Sequence, residues 1–130
     1  MKYSYDDRVE IEQMLGKVFT EIQRGKDADE LTFFEEDGSY FLFTHVQDCC
    51  ESVGIEEIHG DLADLLNTPI LFAEESSSNI PQEQTYDSCT WTFYKLGTIK
   101  GWVDIRWYGE SNGYYSESVD LFYVPAEKKE

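Results

Sequence analysis

Apolar and polar positions alternate in short runs along most of the chain, the period-two pattern of half-buried strands. In residues 17–24, Val18, Thr20 and Ile22 oppose Lys17, Phe19, Glu21 and Gln23. Residues 30–36 and 39–46 read as strands on either side of Asp37-Gly38, a strong hairpin signal. Residues 69–74 predict a further strand, and residues 53–58 are a short apolar segment. The last third is the richest. Residues 88–96, 98–108 and 114–124 are β-prone runs separated by Gly97 and Asn112-Gly113, and their order predicts a β-meander. Within it Val103, Ile105 and Trp107 lie on one side, and Trp102, Asp104, Arg106 and Tyr108 on the other. Trp91 and Phe93 oppose Thr90, Thr92 and Tyr94, and Val119, Leu121 and Tyr123 oppose Ser116, Ser118 and Asp120.

Two stretches depart from the alternation. Residues 6–15 predict a short helix capped by Asp6 or Asp7 and stopped by Gly16. Residues 61–67 (DLADLLN) predict a helical turn capped by Asp61 and ended by Asn67, with Pro69 just beyond. Residues 75–87 are polar and interrupted by Pro81, and predict a loop. The expected fold is α+β: a mainly antiparallel, twisted sheet with one or two short helices. It forms a single domain over residues 1–130, with an N-terminal extension over 1–14 and a disordered tail over 125–130.

Charge narrows the function. Ten Lys and Arg against 27 Asp and Glu give a net charge of −17, which repels phosphate backbones and anionic lipid. Direct nucleic-acid and membrane partners are therefore not expected. No apolar run approaches the roughly 20 residues of a membrane span, and the N-terminus has no apolar signal region. Three cysteines, two of them adjacent, make a poor disulfide framework, so reduced thiols and a cytoplasmic location are expected.

The acidity is uneven. Residues 88–109 carry a net +2, and the remainder a net −19. This stretch, which is not acidic, is also the most aromatic, and aromatic faces with Arg or Lys suit planar or anionic ligands. A binding face is therefore expected from Tyr94, Lys95, Trp102, Arg106, Tyr108 and Asn112. The competing reading is that the aromatics build core and rim, with Arg106 paired to Asp104 or Asp120.

A secondary candidate is the loop His45, Asp48, Cys49, Cys50 and Glu51, with His59 further on. Thiol and imidazole suit zinc or nucleophilic catalysis. Adjacent cysteines cannot easily share one tetrahedral ion, and the flanking carboxylates oppose thiolate formation. The acids Glu56, Glu57, Asp61 and Asp64 match no calcium-loop spacing and read as a solvated face. There is no GxGxxG, P-loop, GxSxG or HExxH pattern. No metal, cofactor or catalytic residue is expected.

The runs HVQDCCESVGIEEIHGDL (from His45), TWTFYK (from Thr90) and IRWYGESNGYYSE (from Ile105) resemble a family of small phage and prophage proteins carrying a domain of unknown function. The likeness spans about residues 15–124. It implies a phage or prophage origin and transfers no catalytic role. The expectation is a phage accessory protein that antagonises a host defence system by binding. One mode sequesters a signalling nucleotide. The other blocks a nucleic-acid-binding host protein as an acidic mimic. The alternatives are a virion structural or assembly component, or a small cytoplasmic enzyme using the Cys/His loop. A homodimer is expected, because the strand over 114–124 reads as a sheet edge and the aromatics exceed what a small core can enclose.

Overall fold

The protein is described here from a computed structural model, which covers residues 7–25, 29–46, 51–81, 88–111 and 117–126. Eight strands form two four-stranded antiparallel sheets. The first sheet holds β1 (Phe19–Arg24), β2 (Glu30–Glu35), β3 (Tyr40–Thr44) and β8 (Asp120–Val124), in the order β1-β2-β3-β8. The second holds β4 (Ser52–His59), β5 (Phe72–Pro81), β6 (Ser88–Thr98) and β7 (Gly101–Ser111), in the order β4-β7-β6-β5.

The sheets meet across one core. Phe33, Phe41 and Phe43 from the first sheet join Ile55, Tyr94, Leu96, Val103, Ile105 and Trp107 from the second, all buried. The Phe43 and Tyr94 ring centroids lie 4.6 Å apart across the interface. Burial of these large rings supplies the main driving force for closing the sandwich.

The fold is mainly β, which corrects the expected α+β class. Among the described residues the helical content consists of short 3-10 turns, chiefly Ile11–Met14 and Leu62–Leu65. Asp61 caps the second as expected, accepting a hydrogen bond from the Ala63 amide. Neither segment propagates, because a single turn bears the full cost of nucleation and gains few bonds. Ile11, Met14 and Leu65 serve instead as plugs for the core. No helix is long and apolar enough to cross a membrane among the described residues.

Two other expectations are corrected. The polar stretch 75–81, read as loop, continues β5, because its backbone pairs residue for residue with the long β6. The apolar segment 53–58, given no element from the sequence, lies in strand β4. The meander does not form: β6 and β7 pair, but β8 crosses to the first sheet and pairs with β3. Gly109 permits the crossing, since a Cβ there would lie 2.9 Å from the Glu117 carbonyl oxygen. The buried Glu117 carboxylate then accepts from Thr90 Oγ1 at 2.7 Å and Ser111 Oγ at 2.5 Å, pinning the crossing chain. β8 does lie at a sheet edge, but the Val9 amide donates to its Leu121 carbonyl at 2.9 Å and Arg8 bridges Phe122.

Candidate functional site

The outward face of the second sheet gathers Lys95, Trp102, Arg106 and Tyr108 from the expected binding residues. Side chains opposite one another in an antiparallel ladder share a face, so the strand register builds rows across it. Glu57, Arg106, Phe93 and Ser76 form one row; His59, Asp104, Lys95 and Glu74 form the next. Gly54, Tyr108, Trp91 and Ser78 form a third, and Trp102, Gly97 and Phe72 lie at one end.

A bulge at Ile55/Glu57 sets the first row. Ile55 and Ile58 are three apart, so a regular strand would turn one of them outward. The bulge absorbs the extra residue. Both isoleucines then face the core, and Glu57 stands opposite Arg106. The two-glutamate spacer between apolar residues is a sequence signal for such a bulge, although Glu57 reads from the sequence only as part of a solvated acidic face.

The rings lie as a low platform. Trp91 and Phe93 are stacked, 9° from parallel with centroids 6.4 Å apart, and Tyr108 packs 4.7 Å from Trp91. The Arg106 guanidinium lies over both Trp91 and Phe93, at 5.9 and 5.8 Å, and its Nη1 is 3.4 Å from Glu57 Oε1. Trp102 is 52% exposed, packs 4.7 Å from Phe72 and has Lys95 Nζ 5.2 Å above its ring. Gly97 is the seat for this tryptophan: a Cβ there would meet the Trp102 ring at 3.0 Å.

Assembly reverses the local charge. The third base of the aromatic stretch, Lys100, turns away and donates to the Leu66 carbonyl. β4 and β5 contribute Glu57 and Glu74, and β7 contributes Asp104 and Glu110. Lys95 and Arg106 therefore stand against four carboxylates, a formal −2 on the face.

Arg106, Trp102, Tyr108 and Lys95 thus share one surface, as expected. Tyr94 does not: it is buried between the sheets, with its hydroxyl donating to the Val119 carbonyl at 3.4 Å. Trp91 and Phe93 take its place on the platform. The partner of Arg106 is Glu57, whereas Asp120 pairs with Arg8 at 3.4 Å. Asn112 lies outside the described residues.

Desolvation on the sheet, then hydrogen bonds to Cys89 and Glu110, push the Tyr108 phenol up to about 12. Burial also raises the Tyr94 phenol. Folding favours both neutral phenols, so stability falls as pH rises above the ordinary value of 10.0. In an alkaline absorbance titration these two tyrosines should ionise late, above the ordinary value of 10.0. Tyr108→Phe should remove one late-titrating phenol; an unchanged late phase in that variant would contradict the assignment.

The secondary loop has a different character. His45 Nδ1 lies 2.7 Å from the Ser118 carbonyl oxygen, so it carries a proton and donates. His45 Nε2 lies 2.7 Å from Glu51 Oε2, with side chains only 4% and 0% exposed. An imidazole with both nitrogens engaged has none left to take a proton from a thiol. Asp48, Cys49 and Cys50 lie outside the described residues. His59 sits elsewhere, on the open face, 3.1 Å from Glu57.

The cavities are acidic as well. One of about 390 Å³ opens between the sheets, lined by Glu10, Glu75 and Asp120 around Tyr94, and its Arg8 is paired with Asp120. Burial, then the charges of Glu10, Glu12 and Asp120, raises the Glu75 carboxyl. Such a lining is unsuited to phosphate.

A family model described as a domain of unknown function (DUF7448) matches residues 12–121. No curated protein and no solved structure matches the chain.

Proposed function

The chain belongs to the DUF7448 family, a domain of unknown function, and from that premise we propose that it acts by binding, without catalysis, and that its partner is a basic protein surface. The observation that carries this reading is the sign of the charge on the aromatic face. A nucleotide signal would need a free cation for its phosphates. Arg106 is held by Glu57, Lys95 lies over Trp102, and four carboxylates surround them. A phosphate would be repelled, whereas a positively charged protein surface would be attracted over the whole face. The −17 of the chain adds long-range attraction for the same partner.

Of the two modes expected from the sequence, the acidic antagonist is therefore favoured over the nucleotide sponge. The likeness to small phage proteins would make the partner a host protein that itself binds nucleic acid, in the host cytoplasm. His45, engaged at both nitrogens, supports a structural rather than a catalytic role for its loop.

Two measurements on the intact chain test the proposal. A bacterial lysate fraction retained on heparin, which is enriched in basic nucleic-acid-binding proteins, should yield a protein that co-purifies with the chain and is released by salt. Cyclic dinucleotides and cyclic ADP-ribose compounds should leave the melting temperature unchanged. A saturable thermal shift with any of these nucleotides would overturn the basic-partner reading in favour of sequestration. Arg106→Ala should move the melting temperature little, since a half-exposed pair contributes about 0–1 kcal/mol.

A further inference from the structure

We infer that the partner presents arginine rather than lysine, with a guanidinium group stacking on the exposed ring of Trp102 while pairing with the carboxylates beside it. This rests on the basic-partner reading and adds the chemistry of the cation.

Both cations of the face lie over rings: Arg106 over Trp91 and Phe93, and Lys95 over Trp102. Arg106 also reaches Glu57, so a single guanidinium meets two rings and a carboxylate together. At Trp102 the chain's own Lys95 ammonium meets the ring, and carboxylates stand on the same face beside it. Gly97 lets its ring lie down along the sheet, and the residue remains 52% exposed. Asp104 projects from the same strand face two residues on, and Glu74 stands across from Lys95.

A planar guanidinium can use its face for the ring and its edge N–H groups for the carboxylates at once. An ammonium is compact and strongly hydrated, so it must lose more water and cannot stack. Ring and carboxylates together therefore select the planar cation. A second copy of this chain is a poor occupant, because two faces of −2 on molecules of −17 repel.

The test is a tryptophan-fluorescence titration of the full chain with nona-arginine and nona-lysine peptides, which carry equal charge, at one salt concentration. Nona-arginine should bind about tenfold more tightly. Trp102→Ala should shrink that preference, and Trp102→Phe should restore part of it, with circular dichroism confirming that each variant is folded. Binding of neither peptide would overturn both this inference and the basic-partner reading. Equal binding of the two would overturn the arginine inference alone. An arginine preference that survives intact in Trp102→Ala would overturn the assignment to this ring.

Discussion

Replacing His45 by alanine is expected to destabilise the protein by about 1–3 kcal/mol, the cost of leaving a buried hydrogen-bonding group without its partner. The ring joins three distant pieces of chain. It follows β3, donates from Nδ1 to the carbonyl of Ser118 just before β8, and meets Glu51 Oε2 through Nε2 just before β4. Alanine would delete both bonds and leave the Glu51 carboxylate, which is 0% exposed, without its imidazole. A His45→Leu/Glu51→Leu double variant should recover much of the loss, because apolar groups of similar size replace both members together. Urea denaturation followed by fluorescence measures both effects. A loss below about 1 kcal/mol for His45→Ala would mean that the pair contributes no more than a surface contact.

The second large effect concerns binding. Glu57→Lys combined with Glu74→Lys converts the formal charge of the aromatic face from −2 to +2. The rings remain. Affinity for a basic partner should fall by about a hundredfold or more, since like charges placed across an interface cost several kcal/mol. Stability should change little, because the Glu57 side chain is 45% exposed and Glu74 is exposed. Nona-arginine binding and capture from the heparin-retained fraction should both disappear in this variant. Retention of either would show that the carboxylates of this face do not carry recognition.

Local pattern determined a good deal of this protein. The alternation of residues 98–108 assigned Val103, Ile105 and Trp107 to the core and Trp102, Arg106 and Tyr108 to the opposite face, and both assignments hold. Asp37-Gly38 marked the turn between β2 and β3, where Asp37 accepts from the Ser39 amide at 2.9 Å. Such features are legible because they depend on side-chain period and turn chemistry within a few residues. The tertiary structure decided the rest. Residues 75–81 became strand because β6 offered a full ladder of partners, which no local propensity of three serines would predict. β8 left the meander because Gly109 let the chain pass and Glu117 tied it down. Tyr94 turned inward because its strand presents Thr92, Tyr94 and Leu96 to the core, and Trp91 and Phe93 to the outside. The sign of the candidate site changed for the same reason. Along the chain Arg106 and Lys95 stand in a stretch of net +2, but a sheet sets each residue beside those of neighbouring strands. Glu57, 49 residues away, and Glu74 come to stand next to them through long-range pairing that sequence spacing does not encode.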